Sequence, residues 1–177
     1  MKRQSAGILV YRIRDGQVEV LLGHAGGPFW NKKDKGAWSI PKGECESEED
    51  LLTAAKREFT EETSVSVPPG ELKELGFFKR KDGKTVYAWA VEGDIDPAIM
   101  VSNTFEMEWP PKSGQMQRFP EFDKAAWFPI WQAGGKMHKG QEMFLERLAE
   151  LLQISLTAPV TAKIEKEPVT KNQTSLF

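Results

Sequence analysis

Between Gly43 and Val65 the chain reads GECESEEDLLTAAKREFTEETSV, and this stretch constrains the fold more tightly than any other. Leu52, Ala55 and Phe59 recur at i, i+3 and i+7, which predicts a helix from about Glu48 to Glu62 with one apolar stripe. Ser47 followed by Asp50 predicts its N-cap and acidic third position. At about 100° per residue, Glu58, Glu61 and Glu62 gather beside that stripe. The helix must therefore dock on an apolar surface while crowding three carboxylates at the seam. A solvated acidic face usually interleaves basic residues at helical spacing, and none stands among these three.

The flanking segments supply a surface for that stripe. SAGILVYRI (Ser5 to Ile13) and QVEVLLG (Gln17 to Gly23) are β-branched and aliphatic, with the turn residues RDG between them, and predict paired strands. GGPFWNKKDKG (Gly26 to Gly36) predicts a loop, and AWSIP an extended segment entering Lys42-Gly43. After the helix, LKELGFFKR and KTVYAWAVEG flank the turn signal Asp82-Gly83 and predict a hairpin. AAWFPI (Ala125 to Ile130) predicts a further strand, and Lys139 to Gln153 a second amphipathic helix through Phe144, Leu145, Leu148, Leu151 and Leu152. The expected class is α/β, with one domain over residues 1–156. From about Thr157 the chain has few large apolar side chains to offset ordering entropy, and residues 157–177 are expected to form a disordered tail.

A length of 177 residues suits one core. A net charge of -2 gives no general basis for binding duplex nucleic acid. Cys45 is the only cysteine, which excludes an intrachain disulfide. No apolar run has the length of a membrane span or the layout of a signal peptide, so a cytoplasmic protein is expected.

Arg57, directly before the acidic trio, can pair with one carboxylate and leave the others free for a divalent ion. Oxygen-only ligands suit a hard cation, and magnesium commonly shares its coordination sphere with substrate phosphates. The spacing from Gly43 is glycine, five residues, Glu49, seven residues, Arg57-Glu58, an apolar residue, any residue, Glu61-Glu62, two residues and the aliphatic Val65. This resembles the Nudix box, the defining motif of the Nudix hydrolase family. Ser64 stands where that family usually has glycine.

The resemblance implies an α/β/α sandwich with a mixed sheet, in which the box forms a loop, a helix and a loop that bind Mg2+ or Mn2+. By position it makes Glu58, Glu61 and Glu62 metal ligands, joined by a backbone carbonyl of Lys42 or Gly43, with Arg57 and Glu49 orienting them. It also implies a further glutamate ahead of a late tryptophan, for which Glu121, six residues before Trp127, is the candidate, with an ordinary loop acid as the alternative. Glu58 and Glu121 are both candidates for the general base.

SAGILVYR, WSIPKGE, KTVYAWAVE and AAWF are similar to the branch of asymmetric diadenosine tetraphosphate hydrolases and MutT-type pyrophosphohydrolases. The implied substrate is a dinucleoside polyphosphate or a (d)NTP; the alternative is a nucleotide-binding regulator without turnover. Lys32, Lys33, Lys35 and Lys42 are candidates to meet a polyphosphate, unless the loop is simply solvated, and one of Phe29, Trp30 and Trp109 is the candidate to stack on a base, with core packing as the alternative for the others. Ser102 to Phe119 reads as a long loop walling the pocket, with Glu106 or Glu108 near the metal. His24 and His138 read as structural or surface residues. The final QTSLF resembles the peptide that docks bacterial replication proteins on the sliding clamp, through Gln173, Leu176 and Phe177.

Overall fold

The computed structural model describes residues 3–159. Its spine is β1 (Gln4–Arg14), whose near-continuous burial reflects a strand covered on both faces. One edge of β1 runs parallel to β6 (Thr85–Glu92), from Gln4↔Thr85 to Tyr11↔Glu92. Its other edge is shared. Tyr11 to Arg14 pair with β2 (Gln17–Ala25), and Ser5 to Gly7 pair with β4 (Lys42–Glu44). Beyond Val20, β2 leaves β1 and meets β3 (Trp38–Ser39) at Gly23 and His24. Residues Trp38 to Glu44 therefore sit in a fork between the two long strands. β5 (Lys73–Lys79) extends the sheet antiparallel to β6, and β9 (Phe122–Pro129) lies antiparallel to β2, so the sheet is mixed.

Alternation along the central strands sends apolar residues to both faces. Ala6, Ile8, Val10 and Leu21 meet Ala54, Ala55 and Phe59 of α1 (Leu51–Thr63). Leu9, Tyr11, Val20 and Leu22 share the opposite core with Ala133 of α2 (Ile130–Lys136) and Phe144, Leu145 and Leu148 of α3 (Glu142–Leu152). Helices on both sides of a mixed sheet make the expected α/β/α sandwich. Full burial of Phe59 alone contributes about 1.5–3 kcal/mol, so the register of α1 against the sheet is firmly set.

Three expectations are corrected. α1 starts at Leu51, and its cap is Asp50 rather than Ser47: the Asp50 carboxylate accepts from Thr53 N–H at 3.0 Å and Thr53 Oγ1 at 2.9 Å. Glu48 has φ 66°, which interrupts a helix, and the turn it makes frees Glu49 to reach back to the box. The segment read as a loop from Ser102 to Phe119 holds an antiparallel hairpin, β7 (Thr104–Glu108) and β8 (Met116–Pro120), forming its own two-stranded sheet. The strand read as Ala125 to Ile130 starts earlier, at Phe122, and turns at Ile130 into the unanticipated α2. The clamp-like peptide with Gln173, Leu176 and Phe177 lies outside the described residues.

Ser64 adopts the left-handed conformation expected of glycine, with φ 57°, and closes α1 through its N–H to the Thr60 carbonyl. Its hydroxyl donates to the Val101 carbonyl at 2.8 Å, partly offsetting the strain. We expect Ser64→Ala, which keeps the strain and loses the bond, to destabilise by about 1 kcal/mol. Ser64→Gly, which loses both, should fall within roughly 0.5 kcal/mol of the parent in urea unfolding. Equal losses in the two variants would remove the hydroxyl from this account.

Candidate active site

The fork carries Lys42 and Gly43 to the flank of α1, where Gly43 leaves a notch. A Cβ built on Gly43 would lie 1.8 Å from Glu58 Oε2 and 2.0 Å from its Cδ, so the carboxylate fills the space a side chain would need. One turn later Glu62 reaches the same strand, its Oε2 accepting from Lys42 N–H at 2.8 Å. Glu61 is the most open of the trio, with its side chain 48% exposed.

Arg57 binds this border together. Its Nε and Nη2 donate to the two oxygens of Glu49, both at 2.9 Å, as a fork on a carboxylate. Nη1 donates to Glu58 Oε1 at 2.8 Å and to Glu61 Oε2 at 3.0 Å, and Nη2 also donates to the Glu44 carbonyl at 3.0 Å. All of the guanidinium's N–H groups are thus engaged. The fork from Arg57, aided by the N–H of Glu46, holds the Glu49 carboxyl down at about 2. The Arg57 guanidinium is correspondingly raised, chiefly by Glu49.

The other carboxyls move the opposite way. Burial raises Glu58 against the pull of Arg57, and the charges of Glu61 and Glu121 raise it further. Glu62 is also raised by burial, opposed by Lys42 and reinforced by Glu121 and Glu58. Burial lowers Lys42, with the charge of Glu62 acting against it. Glu121, at the corner between β8 and β9, therefore belongs to the same electrostatic field as Glu58 and Glu62.

This donor set is oxygen-only, partly desolvated and mutually repulsive, which suits a hard divalent cation. Among the described residues no three acidic, histidine or cysteine side chains already stand at metal-ligand geometry. The reason is visible in their partners: Arg57 holds Glu58 and Glu61, and the Lys42 N–H holds Glu62.

Three cavities surround this border, two of them lined by one of the glutamates and one reached through Lys42. One of about 580 Å³ is lined by Lys42, Arg80 and Lys139 together with Trp30, Phe78 and His138, joining cations to aromatic faces. Another, of about 530 Å³, includes Glu62, Asp96, Asp123 and Lys124. A third, of about 360 Å³, includes Trp30 and Glu121. Lys42 and Trp30 thus line the surroundings of the site. Lys33 places its Nζ 4.8 Å from the Trp30 ring centroid, whereas Lys32 and Lys35 are exposed on the loop. Trp109 stands edge-on to Phe29, with ring centroids 5.3 Å apart. Glu106 pairs with Arg118 and Glu108 accepts from Gly114 N–H, so both are engaged within the hairpin.

The sequence reading missed Phe78, Arg80, His138 and Lys139. The basic run Lys79-Arg80-Lys81 beside a hairpin turn was a usable signal for Arg80; the other three needed the sheet's geometry. His24 is structural, as expected: buried, with Nδ1 2.7 Å from Asp123 and Nε2 2.6 Å from the Lys33 carbonyl, it ties the lysine-rich loop to β9.

His138 packs at 5.1 Å on Trp30, its buried Nε2 has no partner, and desolvation lowers its pKa to about 4 from 6.5. The folded state thus resists a proton that the unfolded chain accepts. Its contribution to stability is complete above about pH 6.5 and is lost as pH falls towards 4. Between pH 7 and 5 the parent should lose roughly 1–2 kcal/mol more than His138→Gln in urea unfolding. Parallel pH profiles would exclude this residue as the source.

The fold and carboxylate helix define an α/β protein with a box-bearing loop, helix and loop. Residues 1–148 match the family described as NUDIX domain, and the chain belongs to that family of hydrolases. It is 33% identical over 127 residues to Nudix hydrolase 21, chloroplastic, of Arabidopsis thaliana, covering 70% of this chain and 58% of that relative's length. A C. elegans Ap4A hydrolase in a binary complex shares the fold with TM-score 0.58 at 22% identity, covering 85% of this chain and 98% of that one. The NUDIX domain of Shewanella oneidensis NrtR, complexed with ADP ribose, gives TM-score 0.57 at 15% identity, covering 86% and 89%. No helix among the described residues is long and apolar enough to cross a membrane.

Proposed function

We propose that this chain is a Mg2+-dependent pyrophosphohydrolase of the cytoplasm. It cleaves a phosphoanhydride bond in a nucleoside diphosphate linked to another group, with a dinucleoside polyphosphate or a (d)NTP as substrate. The observation that carries this reading is the border between α1 and Lys42-Gly43: Glu58 fills the Gly43 notch, Glu62 accepts from Lys42 N–H at 2.8 Å, and Lys42 itself lines a cavity with Arg80 and Lys139. Anion-binding groups and cation-binding groups stand next to one another, as a metal-bridged phosphate requires. The relatives named Nudix hydrolase and Ap4A hydrolase, and the neighbour complexed with ADP ribose, favour nucleotide substrates.

Glu58, Glu61 and Glu62 would hold Mg2+ or Mn2+, with a carbonyl of Lys42 or Gly43. The ion would supply water activation and charge neutralisation at phosphate oxygens. Arg57, fixed by Glu49, holds Glu58 and Glu61 at one border of the helix and limits their rotation. Lys42 and Arg80 attract the polyphosphate, and Lys32 and Lys33 extend the positive field along the loop. Trp30, packed by His138 and approached by Lys33, borders the space for a base, and Trp109 supports the neighbouring Phe29. Glu58 or Glu121, whose charges raise the buried carboxyls around them, accepts the proton from the attacking water. The folded unit for this chemistry is residues 1–156.

Phosphate release from diadenosine polyphosphates, (d)NTPs, nucleotide sugars and ADP-ribose, with and without Mg2+, tests the reading. Turnover of a dinucleoside polyphosphate or (d)NTP that requires the ion is expected. Tight nucleotide binding with no turnover on any of them would replace the enzyme with a nucleotide-binding regulator.

A further inference from the structure

The third cavity differs in chemistry from the cationic one, and its wall comes from the hairpin. Along β7 the chain alternates: Phe105 and Met107 are half-buried, while Thr104, Glu106 and Glu108 are exposed. This period of two turns the apolar pair onto one face. That face looks onto the loop after β2, where a Cβ built on Gly27 would be 3.1 Å from Phe105 Cζ. Gly27 has φ 88°, so the loop turns under the ring in a conformation that favours glycine. The hairpin is anchored next door: Gly26 N–H donates to the Glu121 carbonyl at 2.8 Å, and Gly26 abuts the Pro120 carbonyl so closely that a Cβ would lie 2.0 Å from its oxygen.

The slot that results holds about 360 Å³, with Phe29, Trp30, Phe105 and Met107 as its large side chains. Among the described residues Glu121 is its only charged lining group. Phe29 is 53% exposed although Trp109 braces it edge-on, so much of an aromatic ring remains open to a ligand. Lys33 approaches the Trp30 ring centroid at 4.8 Å but stands outside the lining, whose large members are aromatic faces and a thioether. They suit a neutral planar ring. Trp30 is shared with the cationic cavity, so the phosphate-attracting and ring-accepting spaces are contiguous.

We infer that the β7–β8 hairpin and the Gly26–Trp30 turn form a nucleobase subsite for the second, distal group of the substrate. This rests on the hydrolase reading for its place in the reaction, but not for its ability to bind a base. A substrate with a base at each end would occupy it; a nucleoside triphosphate would leave it empty.

Titration of the full chain with adenosine, without metal, followed by the fluorescence of its six tryptophans, of which Trp30 lines the slot, tests the slot directly. Saturable quenching is expected, weakened about tenfold by Phe105→Leu, which keeps apolar bulk over Gly27 and removes the ring. Absence of quenching, or loss of it in Phe78→Leu with Phe105→Leu unaffected, would overturn the assignment. In the presence of Mg2+, the ratio of kcat/KM for diadenosine tetraphosphate to that for ATP should fall about tenfold in Phe105→Leu. Equal losses on both substrates would mean a merely structural role and would also overturn it. If neither substrate is turned over, the hydrolase reading fails while the adenosine titration still decides the subsite.

Discussion

Glu61→Gln should lower kcat/KM on the best substrate on the order of a thousandfold while leaving the fold in place. Glu61 is 48% exposed, and its one side-chain bond goes to an Arg57 nitrogen that also serves Glu58. Glutamine preserves the shape and an acceptor, so the cost to stability should stay within about 0.5 kcal/mol. What it removes is a negative charge from an oxygen-only ligand set. Calorimetric titration with Mn2+ should show a matching loss of ion affinity. Near-normal turnover would take Glu61 out of the site; lost turnover with unchanged ion affinity would reassign it from the ion to the substrate.

Gly43→Ala should act from the other side of the same contact. The added methyl would sit 1.8 Å from Glu58 Oε2, so the carboxylate must leave its notch or the strand must shift. Either movement breaks the geometry of the Arg57 Nη1 bond to Glu58 at 2.8 Å. We expect kcat to fall about a hundredfold and stability by about 1–2 kcal/mol from overpacking. The double variant Gly43→Ala, Glu58→Ala is the informative control. With the side chain gone the methyl has room, so the stability loss should largely disappear while activity stays low. Persistence of the full stability loss would locate the strain in the backbone instead.

The box was legible because its chemistry is local. Gly43, Glu49, Arg57, Glu58, Glu61 and Glu62 lie within one loop and one helix, and their spacing alone puts them on a common border. The start of the helix was not legible. Ser47 is an acceptable local cap, but Glu49 is drawn out of helical conformation by its pairing with Arg57 in the interior of α1. Capping rules weigh neighbours and do not see that partner.

The hairpin was hidden for a different reason. Pro110, Pro111 and Gly114 dominate the segment and read as loop, whereas the alternation of Phe105 and Met107 covers only one short strand. Its meaning emerges only when the Gly26-Gly27 turn is placed beneath it. Arg80 and His138 come from opposite halves of the chain and meet through the pairing of sheet and helices, which no single window contains.

The join between hairpin and body carries one more consequence. Asn103 and Glu121, at its two ends, are already bonded to each other through the Glu121 N–H and the Asn103 carbonyl at 2.8 Å. The strand pair hangs from a closed neck, like a cassette clipped to a chassis. Under the proposed function, a cassette of another length or composition between Asn103 and Glu121 would re-tune what is recognised, provided the neck still holds Glu121 in place.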